Sequence, residues 1–118
     1  AFEIGLFVTH QASGQFESMA IESVLDALRA DPPEEVNGSQ IATTIDWLEK
    51  PPPLATNLIE FRSKDGVRIA IRPSGTEPKV KIYLEQTVSD PVGDLAALRS
   101  SCSENLKLLG DTTLSWFG

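Results

Sequence analysis

Between Val67 and Glu85 the chain alternates apolar and polar positions in two runs. Val67, Ile69 and Ile71 stand against Arg68, Ala70 and Arg72, then Val80, Ile82 and Leu84 against Lys79, Lys81, Tyr83 and Glu85. A period of two belongs to a strand, so each run sends one apolar face to a core and its polar set to the opposite face. Asn57 to Arg62 is a further strand, and Lys64-Asp65-Gly66 reads as a tight hairpin turn into Val67, since Asp-Gly tolerates the positive φ of such turns. Ser39 to Trp47 completes the set. Its Ile41, Ile45 and Trp47 alternate only partly with Ala42, Thr44 and Asp46. Leu48 to Thr56 contains Pro51-Pro52-Pro53 and reads as a stiff surface loop.

Twice the period lengthens to that of a helix. From about Phe16 to Ala30, apolar Phe16, Met19, Ala20, Val24, Leu25 and Leu28 form an amphipathic stripe, which Asp31-Pro32-Pro33 ends. After the last strand, Asp90 is the expected N-cap and Pro91 the first helical residue. Leu95, Leu98, Cys102, Leu106 and Leu109 follow at helical spacing, with Gly110 as the expected C-cap. Residues 2–9 read as extended, and Ser13-Gly14 as a turn. The end of the chain carries Leu114, Trp116 and Phe117, which either pack back onto the domain or contact a neighbour. These elements predict an α+β fold: a four-stranded, mostly antiparallel sheet with two helices on one face and the other face open.

A chain of 118 residues holds one domain with its own core. Hydrophobic residues at 41% beside 23% charged ones fit a soluble globular class, and no apolar run approaches the roughly 20 residues that span a bilayer. A net charge of −7 argues against a nucleic-acid binder, which presents a basic field to the phosphate backbone. Cys102 is the only cysteine, so no internal disulfide forms, and its helical spacing makes it a core thiol; a reducing cytoplasm fits. His10, the only histidine, has no second ligand-type residue beside it and reads as solvated.

Against that acidic background one segment is built for an anion. Arg72-Pro73-Ser74-Gly75-Thr76-Glu77-Pro78-Lys79 joins the last two strands. Arg72 offers a planar fork, Ser74 and Thr76 offer hydroxyls, and Gly75 lets main-chain N–H groups approach a ligand closely. Pro73 and Pro78 restrict both ends. Pro-Ser-Gly-Thr by itself is also ordinary turn composition. The flanking alternation adds Arg72, Lys79 and Lys81 on the face away from the core.

Arg72 to Lys79, with the following Val80-Lys81-Ile82-Tyr83-Leu84-Glu85, resembles the phosphate-binding loop and next strand in the C-terminal domain of the α-D-phosphohexomutases, the phosphoglucomutases and phosphomannomutases. The likeness extends upstream through Asn57 to Arg72 and more loosely to Phe16. It implies the TATA-box-binding-protein-like fold of those C-terminal domains. It also implies that Arg72, Ser74, Gly75 and Thr76 bind the non-transferred phosphate of a sugar phosphate, with Lys81 serving the same phosphate. Lys79 reads as a solvated charge, Glu77 as a loop-shaping residue, and Tyr83 as a half-buried strand residue or a packing surface for sugar or domain.

The resemblance further implies a division of the chain: a linker or hinge over residues 1–14, the phosphate-binding domain over 15–110, and a tail over 111–118. The chain opens at Ala1 rather than methionine and reads as a piece of a longer cytoplasmic isomerase. That enzyme would move a phosphoryl group between the 1- and 6-positions of a hexose through a bisphosphorylated intermediate. A phosphoserine, Mg2+ and a glucose 1,6-bisphosphate-type activator would act on its other domains. The segment itself is expected to be non-catalytic, with no catalytic or metal-binding residue and no cofactor of its own. Its partners are a hexose phosphate and the other domains, with neither nucleic acid nor membrane. A stand-alone phosphate- or phosphopeptide-binding module would use the same loop, and a protein-interaction module would use Pro51-Pro52-Pro53 and the apolar tail.

Overall fold

A computed structural model describes residues 5–118. Six strands form one antiparallel sheet: β1 (Leu6–Gln15), β2 (Glu35–Val36), β3 (Ser39–Asp46), β4 (Ile59–Ser63), β5 (Val67–Pro73) and β6 (Lys79–Val88), in the order β1-β6-β5-β4-β3-β2. Two helices, α1 (Ser18–Ala30) and α2 (Leu95–Ser115), complete the α+β fold. The sheet therefore has two strands more than the sequence pattern predicts. β2 is only two residues long and carries no periodicity. β1 was hidden by Ser13-Gly14, which form no turn: they lie opposite Lys81 and Val80 in an unbroken ladder.

The predicted alternation does set the faces of the central strands. Ile59 and Phe61, Val67, Ile69 and Ile71, and Val80, Ile82 and Leu84 point to one side and are all buried; Leu6 and Val8 of β1 join them. Both helices press on that side, α1 through Ile21, Leu25 and Leu28, α2 through Cys102, Leu106 and Leu109. Burying a side chain of this kind gains about 1.5–3 kcal/mol over leaving it exposed, which makes this face the main source of stability. On α1 the stripe is shifted from the expected one, since Met19 is 85% exposed and Ile21 is buried in its place.

The partial alternation over Ser39 to Trp47 has a structural cause. Ile41 faces Ser63 and Thr43 faces Arg62, so two residues of β3 step past one of β4 in a bulge. The extra residue reverses the pleat, so Ile41 packs against the core while Ile45, opposite Glu60, lies on the other face.

Helix α2 departs from expectation at both ends. Its cap is Asp94, whose Oδ1 accepts from Ala96 N at 2.9 Å; Asp90 and Pro91 precede it in an irregular stretch. Gly110 is not a terminus, and the helix runs on to Ser115. A Cβ on Gly110 would stand 3.2 Å from Ala12 Cβ and 3.4 Å from Leu84 Cδ1. The glycine permits close approach of α2 to β1 and β6. The residues read as a tail therefore belong mostly to α2, and Phe117 is buried with its ring centroid 5.7 Å from that of Phe16. The hairpin turn at Gly66 is as expected: φ is +86°, and an added Cβ would lie 2.4 Å from Thr87 O. No described helix is long and apolar enough to cross a membrane.

Candidate phosphate-binding loop

The face away from the helices is organised in rows by strand register. In one row Ser13 of β1 stands opposite Lys81 of β6, which stands opposite Arg72 of β5. The next row holds Gln11, Tyr83, Ala70 and Glu60, and the one after it Thr9, Glu85, Arg68 and Arg62. Gln15 and Lys79 pair at the loop end of β1 and β6. Adjacent strands lie about 4.8 Å apart, so the whole Ser13–Lys81–Arg72 row spans only about 10 Å.

The loop itself is pinned at its base. Ser74 N donates to Lys79 O at 2.8 Å, Lys79 N to Glu77 O at 2.8 Å, and Phe16 N to Pro78 O at 3.0 Å, tying the loop to the junction of β1 and α1. Its tip is open: Gly75, Thr76, Glu77 and Pro78 are exposed. Thr76 N makes a long 3.5 Å contact to Ser74 Oγ, and Gly75 N has no acceptor among the described residues. An added Cβ on Gly75 would meet no atom within 4 Å, and its φ lies outside the left-handed region. Neither internal packing nor backbone strain requires a glycine there.

Arg72 is exposed, and its guanidinium carbon lies 5.8 Å from the centroid of the Tyr83 ring, a cation–π arrangement. Among the described residues no carboxylate lies within ion-pair distance of Arg72, Lys79 or Lys81. By contrast, Arg62 and Arg68 are neutralised by Glu60 and Glu85. Over the β1–β6 ladder, next to the loop, is a hollow of about 370 Å³ lined by Gln11 and Ser13 with Lys79, Lys81 and Tyr83. Structure thus brings Arg72, Ser74, Gly75, Thr76 and Lys81 to one end of the sheet, with Lys79 beside them. Gln11 and Ser13 escaped the sequence reading, although Phe7, Thr9, Gln11 and Ser13 alternate with Leu6, Val8, His10 and Ala12. That alternation is the signal that could have revealed them.

Residues 20–100 match the family described as phosphoglucomutase/phosphomannomutase, C-terminal domain. The chain belongs to that family. Among similar proteins, a probable phosphomannomutase of Haemophilus influenzae is 36% identical over 90 residues, covering 75% of this chain and 18% of its own length. Phosphoglucomutases of Staphylococcus aureus strains MRSA252 and N315 are each 30% identical, over 97 and 94 residues, covering 70% of this chain and 17% of theirs. This phosphohexomutase C-terminal domain thus spans less than a fifth of the curated relatives it matches. No three His, Cys, Asp or Glu side chains of its described residues converge as a metal site requires. The Mg2+ implied by the resemblance finds no donor set among these residues.

Proposed function

We propose that the loop Arg72–Lys79 holds the phosphate of a hexose phosphate that is not being transferred. The whole enzyme would interconvert hexose 1-phosphate and hexose 6-phosphate through a bisphosphorylated intermediate. One observation carries this reading. Arg72 and Lys81 stand directly opposite each other on the open face, with no carboxylate counter-ion among the described residues, in a chain whose net charge is −7. Like charges directly opposite on neighbouring strands repel. A bound dianion would offset that repulsion and use the Arg72 fork in bidentate contact. Ser74 and Thr76 would add hydroxyl donors, and the Gly75 N–H would point at the anion without a side chain in the way.

In this role the domain does no bond-breaking. It fixes one end of the substrate so that the other end meets the reacting groups, using remote binding to orient a reaction. Recognition through phosphate oxygens suits an intermediate that must present either of its phosphates to the same clamp.

Titration of the chain with inorganic phosphate, followed by amide chemical shifts, tests the proposal. Shifts should concentrate at Ser74, Gly75 and Thr76, with affinity on the order of millimolar. Arg72→Ala, an exposed substitution, should abolish them while leaving the remaining spectrum unchanged. An undiminished response in that variant would sink the reading.

A further inference from the structure

We infer that the C-terminal end of α2 buttresses the anion loop, with Phe16 and Phe117 as positioning residues for the phosphate. This rests on the loop reading above and extends it from the groups that would touch the anion to those that hold the loop in shape. The tip of the loop is exposed and its internal contacts are few, so its order has to come from its base. Two of the bonds at that base are the loop's own, Ser74 N to Lys79 O and Lys79 N to Glu77 O. Among the described residues, the one hydrogen bond that reaches residues 74–78 from another element is Phe16 N to Pro78 O, at 3.0 Å. It carries the β1–β6 ladder one step beyond the Gln15–Lys79 pair, so the place of Phe16 sets where the loop leaves the sheet.

What fixes Phe16 is the last turn of α2. The Phe16 and Phe117 ring centroids are 5.7 Å apart with the planes tilted by 34°, within the range of attractive aromatic pairs, and Phe117 is buried. Glycines leave the space the Phe16 ring occupies. A Cβ on Gly14 would stand 2.7 Å from Phe16 Cε2 and 3.4 Å from Leu114 Cδ2, and one on Gly118 would stand 3.1 Å from Phe16 Cδ1. The ring thus fills a slot between β1 and the end of α2. That end is held in turn by Phe117 N donating to Leu114 O at 3.1 Å, and α2 is seated on β1 through the close contact at Gly110. Helix end, ring, main-chain N–H and loop carbonyl form one connected line. A loop base fixed before the ligand arrives leaves less conformational freedom to be lost on binding.

Variants of the 118-residue chain, each first shown to melt cooperatively, test this by titration with inorganic phosphate and by amide hydrogen exchange. Phe117→Ala should weaken phosphate about twofold to fivefold, since affinity falls with the fraction of loops in the competent shape, and should speed exchange of the Phe16 amide. Phe117→Leu, which refills the space, should restore both. Gly14→Ala keeps Phe117 but drives the Phe16 ring aside, and should reproduce both effects; it decides the matter if Phe117→Ala does not fold. Val67→Ala, buried at the opposite end of β5 from the loop, should lower the melting temperature without changing phosphate affinity. If phosphate shifts the loop in the parent and binds Phe117→Ala and Gly14→Ala as tightly, or if Val67→Ala shows the same loss, the buttress is overturned and the loop reading stands. If phosphate does not shift Ser74, Gly75 and Thr76 in the parent, the loop reading falls and this inference falls with it.

Discussion

Arg68 Nη2 donates to Glu60 Oε1 at 2.8 Å across a diagonal of β4 and β5, and Glu60 is only 1% exposed although it lies on the sheet face away from the helices. Arg62 Nε takes the other carboxylate oxygen at 2.6 Å. Since Arg62 and Arg68 are directly opposed, Glu60 bridges two like charges that would otherwise repel. Burial pushes the Glu60 carboxyl up, but hydrogen bonds from Arg68 and Arg62 and their charges outweigh it, leaving the group below its ordinary value. A depressed folded value means stability that is complete above the unfolded-chain value of 4.5 and is lost as the pH falls through the folded one. Glu60→Gln should destabilise the domain by about 1–3 kcal/mol at pH 7, since it removes the buried negative charge to which the partly exposed Arg62 and Arg68 both donate. Urea midpoints at pH 7 and pH 3 check this: the acid loss should be smaller in the variant than in the parent.

Gly75 separates binding from folding. Its Cβ would enter open space, and its φ does not require glycine, so Gly75→Ala should leave stability equal or raise it by about 0.4–1 kcal/mol through the unfolded chain. Phosphate affinity should nevertheless fall several-fold, because the new methyl group occupies the ground the anion needs. Thermal melts alongside phosphate titrations show whether the two effects part.

Tyr83 should steady Arg72 through its ring rather than its hydroxyl. Tyr83→Phe should then keep inorganic phosphate affinity, whereas Tyr83→Leu should weaken it about twofold to fivefold, the range of an exposed cation–π contact. Equal losses in both variants would assign the effect to the phenol oxygen instead.

Gly110 governs how closely α2 sits on the sheet. Ala12 Cβ, 3.2 Å from the position of an added Cβ, is fixed to the β1 backbone and cannot turn aside. Gly110→Val should cost about 1–3 kcal/mol by overpacking, despite the better helix propensity of valine. Denaturation of this variant against Ser101→Ala, at an exposed position of the same helix, isolates the packing contribution.

The parts legible in the sequence share one property: their signal is local. Val67 to Ile71 and Val80 to Leu84 display period two over several residues, and Asp65-Gly66 states its turn in two. Arg72, Ser74, Gly75 and Thr76 are likewise contiguous, so their common chemistry could be read before any fold was known. What failed depended on distant partners. Ser13-Gly14 has turn composition, and only pairing with Lys81 and Val80 makes it strand. Gly110 has the composition of a helix end, and only the nearness of Ala12 and Leu84 shows that it serves a close contact instead.

The sequence alone therefore determined which residues form the candidate anion loop and which face of its two strands is apolar, because side-chain direction follows from the pleat. Only tertiary structure decided what stands next to that loop. β1, a segment with little to distinguish it from a linker, is drawn onto the edge of β6 by the burial of Leu6 and Val8. That pairing carries Gln11 and Ser13 to the hollow, because register between strands is settled by the shared core and not by either strand alone.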